Sequence, residues 1–219
     1  MLAKITEMNL QNDFVKTIRQ LEERLFPDLL DPEDKMRMKS PGYSWEYRPS
    51  HHAETRLITA EDVEDLKKGK RMLSVGGHPG TLERVLRELG VPEEAMLLAD
   101  VDPRVQEHGG IVFDMTNPWP DIGMFDLILF PESLCIALAD RIKKEGTPVS
   151  DAKFPTDARE AELLTVVLGE AFAHLKPGGE IRANGPQSHP NVVKAASEEL
   201  DEQWIPHVID YQRYFLRVR

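Results

Sequence analysis

The sequence has 219 residues, 41% of them hydrophobic and 30% charged, which is enough apolar material for a core and excludes wholesale disorder. Its 27 Lys and Arg face 38 Asp and Glu, a formal charge of −11 that works against binding a nucleic-acid backbone. No run nears the ~18 apolar residues of a membrane span. The start lacks the apolar stretch of a signal peptide, and the lone Cys135 excludes an internal disulfide framework or a multi-cysteine zinc site, so a cytoplasmic protein is expected.

In chain order, Phe14, Ile18, Leu21 and Leu25 mark one stripe of an amphipathic helix, closed off by Pro27 and Pro32. A turn-rich aromatic stretch with Tyr43, Trp45 and Tyr47 follows, then His51 and His52, then a short helix over 59–68 capped by Thr59. The basic stretch Lys67-Lys68-Gly69-Lys70-Arg71 reads as a solvated helix end. These features make residues 1–69 a helical extension and candidate lid.

From residue 70 the pattern alternates. A strand over 71–75 ends in Gly76-Gly77-His78-Pro79-Gly80, and a helix follows with Leu82, Val85, Leu86 and Leu89 on one face. Strands over 95–99 and 111–113 end in Asp100 and Asp114, and a fourth covers 125–130. A long helix carries Leu164, Leu168, Ala171, Phe172 and Leu175, with Asp157 and Glu160 spaced as a capping box. Lys176-Pro177-Gly178-Gly179 turns the chain into a strand over 180–183, and a helix begins near Ser188 and Pro190. Two β-rich runs, 205–211 and 213–218, have no room for a crossover between them and must pair antiparallel. The expected fold is α/β: from residue 70 an open, mostly parallel sheet covered by helices on both faces, with an antiparallel hairpin at its end.

In such sheets ligands bind outside the carboxyl ends of the strands. The glycine turn after the first strand lets backbone approach a ligand closely, or is a plain tight turn. Asp100 lies 20 residues beyond Gly80, where a carboxylate can accept both hydroxyls of an adenosine ribose; it also suits a turn before Asp102 and Pro103. Asp114 can meet an adenine edge or close an Asx-type turn into Asn117-Pro118.

The segments Leu73-Ser74-Val75-Gly76-Gly77-His78-Pro79-Gly80, Ala99-Asp100-Val101-Asp102-Pro103, Phe113-Asp114-Met115, Trp119-Pro120-Asp121, Phe125-Asp126-Leu127-Ile128-Leu129 and Leu175-Lys176-Pro177-Gly178-Gly179-Glu180-Ile181 together resemble the class I S-adenosylmethionine-dependent methyltransferases. The resemblance implies that residues 70–219 form a Rossmann-like, seven-stranded, mostly parallel sheet with an antiparallel C-terminal hairpin, and that S-adenosylmethionine is the cofactor. Ser74, Gly76, Gly77, His78 and Gly80 would hold its methionine part, Asp100 and Val101 the ribose side, and Asp114 with Met115 the adenine. The sequence departs from the family pattern twice, with Ser74 at a usually acidic position and His78 at a usual glycine.

Methyl transfer needs proximity, orientation and dehydration rather than a fixed catalytic set. Directly after the fourth strand, Glu132 can take an acceptor proton or position an amine, or can serve as a helix-start carboxylate. Tyr43, His51 and His52 are the candidate acceptor-binding residues. Pocket closure falls to the extension, to an insertion over 137–156, or to a second copy in a homodimer. The leading expectation is methyl transfer to a small-molecule acceptor, with neither nucleic acid nor membrane as partner and no metal site. The alternatives are a catalytically silent binding or assembly protein, framed by Ser74 and His78, and a nicotinamide-dependent oxidoreductase, framed by the glycine turn and Asp100 alone.

Overall fold

A computed structural model describes residues 13–14, 16–18, 20–21, 24–26, 57–76, 81–131, 133–146, 158–184, 204–210 and 213–218; at 135, 136, 139, 158, 184 and in the last two strands it describes the backbone alone. Strand β1 (Met72–Val75) is buried along its whole length, as a continuous apolar run covered on both faces should be. It pairs in parallel with β2 (Met96–Asp100), in the register Met72↔Met96 to Val75↔Ala99, and with β4 (Phe125–Pro131), in the register Met72↔Leu127 to Ser74↔Leu129. The two-residue strand β3 (Ile111–Val112) runs parallel to β2, and β5 (Leu175–Asn184) runs parallel to β4. Strand β7 (Arg213–Val218) lies antiparallel to both β5 and β6 (Trp204–Asp210), and the order across the sheet is β3-β2-β1-β4-β5-β7-β6. The α/β, Rossmann-like, mostly parallel sheet expected from the sequence is the architecture found.

Alternation of side chains along the strands divides the interior into two cores. Leu73 and Val75 of β1 and Ile128 and Phe130 of β4 pack under helices α3 (Leu134–Lys144) and α4 (Ala158–Ala173) through Leu138, Ile142, Leu164 and Leu168. Met72, Leu127 and Leu129 pack on the other face against α1 (Ala60–Lys67) and α2 (Thr81–Glu88) through Val63, Leu66, Leu82 and Leu86. The cap expected at Thr59 is present as a capping box: Thr59 N–H donates to Asp62 Oδ2 at 2.7 Å, and Asp62 N–H donates to Thr59 Oγ1 at 3.2 Å.

Residues on the extension side of the 69/70 boundary belong to this second core. Leu57 and Ile58 are fully buried in it. Arg182 of β5, 7% exposed, donates to the Leu57 carbonyl at 2.7 Å and forms a two-pronged ion pair with Asp62 of α1. Farther out, Ile18 is buried, Arg24 pairs with Glu88, and the Arg84 guanidinium lies 5.3 Å from the centre of the Phe26 ring, so the described helical residues between 13 and 25 pack beside α2.

Three expectations are corrected. Leu175 does not sit on the long helix, which ends at Ala173; it opens β5 opposite Phe125. The Lys176–Gly179 turn lies inside β5 as a bulge, with five residues of β5 spanning two of β4 between Phe125↔Leu175 and Leu127↔Glu180. Pro177 cannot donate to the ladder, and Gly178 takes a left-handed conformation at φ 76°, which a bulge accommodates and a regular ladder does not. Finally, much of the stretch read as an insertion after residue 137 is helix α3, whose buried Leu134, Leu138 and Ile142 recur every four residues. The cap expected at Asp157 and the helix expected near Ser188 lie outside the described residues.

Candidate functional site

The carboxyl ends of β1, β2 and β4 and the loop after β3 meet at Gly76. Its backbone adopts φ 73°, a left-handed conformation that favours glycine, and its N–H donates to the Ala99 carbonyl at the end of β2 at 2.8 Å. A Cβ placed on Gly76 would fall 2.4 Å from Ser133 Cβ and 2.8 Å from Met115 Cε. Ser133, just past β4, is buried, and its hydroxyl donates to the Val75 carbonyl at 2.7 Å. Gly76 is therefore closed in by residues from two other strand ends, and a side chain there would push those loops apart. Ser74, one residue before the end of β1, is buried with a hydroxyl that has no hydrogen-bond partner among the described residues.

Asp100 ends β2 half-buried. Its Oδ1 accepts the Asp102 N–H at 2.7 Å, and its carbonyl accepts the Phe113 N–H at 3.0 Å. Burial pushes its carboxyl above the ordinary value, the neighbouring Asp102 charge adds to the rise, and the Asp102 N–H partly offsets it. Asp102 itself is held by Arg104, whose Nε donates at 2.8 Å. Beside Asp100, Val101 is 67% exposed, a bare apolar side chain just past the end of β2.

Asp114 closes the Asx-type turn that its sequence context allowed. Oδ1 accepts both the Thr116 N–H at 2.9 Å and the Thr116 hydroxyl at 2.7 Å, and the Asp114 carbonyl accepts the Asn117 N–H at 3.0 Å. This turn sets Met115 over Gly76. Behind it Trp119, 8% exposed, donates from Nε1 to the Met115 carbonyl at 3.0 Å and from its backbone N–H to Glu170 Oε2 at 3.0 Å.

Among the sequence-predicted site residues, Ser74, Gly76, Asp100, Val101, Asp114 and Met115 thus fall at three neighbouring strand ends, while Gly77, His78, Gly80, Glu132, Tyr43, His51 and His52 lie outside the described residues. Ser133 and Trp119 join the site without having been singled out for it. The signal for Ser133 was its place two residues past an apolar strand. For Trp119 it was a tryptophan in a loop otherwise built of turn residues. Asp126, also in β4, stands at the opposite end of the sheet, where its Oδ2 accepts the Arg71 N–H at 2.8 Å and pairs with Lys176 at 2.7 Å.

One further carboxylate beside the glycine loop has no counterpart in the sequence reading. Glu83, in the first turn of α2, is 3% exposed, and neither oxygen finds a hydrogen-bond partner among the described residues. Burial raises its carboxyl to about 7, against the weaker opposing pull of its own backbone N–H and of Arg87.

No protein-family model matches the sequence, and none of the curated proteins does. Among solved structures, one from Listeria monocytogenes, provisionally classed as a class I S-adenosylmethionine-dependent methyltransferase, matches 92% of this chain and 68% of its own with a TM-score of 0.50 at 10% identity. The N-methyltransferase NodS from Bradyrhizobium japonicum, solved with S-adenosyl-L-homocysteine, matches 93% of this chain and 97% of its own with a TM-score of 0.46 at 14% identity. TrmN from Thermus thermophilus matches 80% of this chain with a TM-score of 0.48 at 19% identity, and the chain spans about half of that protein's length, 54%. The mostly parallel sheet and the likeness to the Listeria structure agree: the chain has the fold of the class I S-adenosylmethionine-dependent methyltransferases.

Proposed function

We propose that the chain is an S-adenosylmethionine-dependent methyltransferase acting on a small-molecule acceptor. The observation that carries this reading is Gly76, where bare left-handed backbone is enclosed by Ser133 and Met115 and bonded to the end of β2. Ser74 and Asp100 fit the cofactor. The buried Ser74 hydroxyl lacks a partner among the described residues and can accept from an ammonium group, and the Asp100 carboxylate, already partly dehydrated, can accept from two ribose hydroxyls. Val101 would cover one face of the nucleoside, Asp114 and Met115 the base, and Gly77, His78 and Gly80 the methionine part.

Bound S-adenosylmethionine supplies a methyl group already activated on a sulfonium. The chain's own residues then need to orient the acceptor, exclude water and hold its proton, and in this reading Glu132 is the proton acceptor. Tyr43, His51 and His52 bind the acceptor, residues 1–69 cover the cleft, and residues 70–219 hold the cofactor. The acidic chain favours a small acceptor over nucleic acid.

One observation favours a second reading, a catalytically silent binding or assembly protein on the same fold: Ser74 offers no charge to an ammonium. Thermal shift and calorimetry separate the two. S-adenosylhomocysteine raises the melting temperature in either case, whereas NAD does not. Burst formation of S-adenosylhomocysteine from S-adenosylmethionine in the presence of small amines, phenols and carboxylates occurs only if the chain is an enzyme. Stabilisation by NAD alone would refute both.

A further inference from the structure

Trp119, in the chain between β3 and β4, is packed against three rings. Its indole is stacked on His174 of the turn after α4, with ring centres 5.7 Å apart and planes 18° from parallel. Phe113 packs against it at 5.3 Å and Phe130 of β4 at 6.2 Å. His174 is itself fixed by Nδ1 lying 2.9 Å from the Gly123 carbonyl, and Glu170 of α4 accepts the Trp119 backbone N–H. On its remaining edge Nε1–H reaches the carbonyl of Met115, the residue whose methyl group closes over Gly76.

We infer that Trp119 is the positioning residue for the 113–117 loop, setting where Asp114 and Met115 stand against the base of the bound nucleoside. This rests on the proposed cofactor site. The physical argument lies in how the loop is tied down. At its start the Phe113 N–H is tied to Asp100; inside it Asp114 bonds to Thr116 and to the Asn117 N–H; at its end Arg141 of α3 donates to Asn117 Oδ1 at 3.2 Å; and Met115, the residue over Gly76, is tied by the indole N–H to a ring packed on His174 and Phe130. Removing that N–H leaves a buried carbonyl unpaired and frees the loop to move away from Gly76. An ordinary core tryptophan would add stability without touching base selection.

The test is titration calorimetry of the full chain with S-adenosylhomocysteine and with S-inosylhomocysteine, whose base carries an oxygen in place of the 6-amino group. Trp119→Phe keeps an aromatic ring and deletes the donor. It should weaken S-adenosylhomocysteine by about tenfold and shrink the preference for it over the inosine compound, with the far-ultraviolet circular dichroism unchanged. Should that variant not fold, Glu170→Ala leaves the indole in place and loosens only its backbone anchor, and it should shift the same preference in the same direction. Unchanged affinity and preference, in Trp119→Phe or in a folded Glu170→Ala standing in for it, overturn the inference while leaving the cofactor reading intact. A parent chain that binds neither compound overturns that reading, and the inference with it.

Discussion

Glu83→Gln isolates the cost of a buried carboxylate. Burial pushes the Glu83 carboxyl in the folded chain from 4.5 to about 7, because it strips water from the charged form and no partner among the described residues replaces that water in full. The sign follows from which state holds the proton. Below pH 4.5 both states are protonated and Glu83 costs nothing through its charge. Between 4.5 and 7 the unfolded chain releases the proton while the folded chain keeps it, so stability falls as pH rises, and above 7 the fall is complete. At ~1.36 kcal/mol per pH unit, a rise from 4.5 to about 7 amounts to roughly 3 kcal/mol. Glutamine cannot ionise, and the cost of burying its amide does not depend on pH. Urea unfolding of both proteins from pH 4.5 to 8 should therefore show the variant gaining about 3 kcal/mol on the parent across that span. Parallel pH profiles would refute the reasoning, since they would mean that Glu83 meets water or a cation in solution.

Asp100→Ala should weaken S-adenosylhomocysteine by about ten- to a thousandfold, as the loss of two hydrogen bonds to a charged acceptor, with the fold kept; calorimetry and circular dichroism check both. Gly76→Ala should fail to bind and melt well below the parent in a thermal scan, because its Cβ would meet Ser133 Cβ at 2.4 Å and its backbone has φ 73°. Asp62→Ala should destabilise the chain in urea unfolding, but by less than the ~3–5 kcal/mol of a buried charge left without any partner, because Glu180 stays 3.3 Å from the Arg182 guanidinium. Thr59→Ala, which removes the cap and the hydroxyl's bond to Asp62 Oδ2, should cost about 1 kcal/mol.

What the sequence made legible was local. Thr59 followed by Asp62 announced a helix start, the apolar run into Gly76 announced a strand and a tight turn, and the residues after Asp114 announced the turn they form. What it hid depended on partners far along the chain. Glu83 and Arg182 look like solvated charges in any sequence window. One is buried between layers, and the other is buried because Asp62, 120 residues earlier, comes to meet it. Leu175 continues the helical period of α4, and only its pairing with Phe125 removes it to the sheet. Trp119 shows its use through Glu170, 51 residues away. Helix α3 is a different kind of omission, since its every-fourth apolar spacing was present but lay in a stretch already read as an insertion.

Arg182 also has a consequence for the order of events during synthesis. The Leu57 carbonyl and the Asp62 carboxylate leave the ribosome more than a hundred residues before the guanidinium that binds them. Until β5 is made, the α1 layer has an anion and a carbonyl facing apolar surface, which favours keeping them in water. Docking of that layer is then a late, long-range event of the kind that slows folding. Nascent chains stalled before residue 182 should leave the 57–67 segment open to proteases, and chains stalled well beyond it should protect that segment.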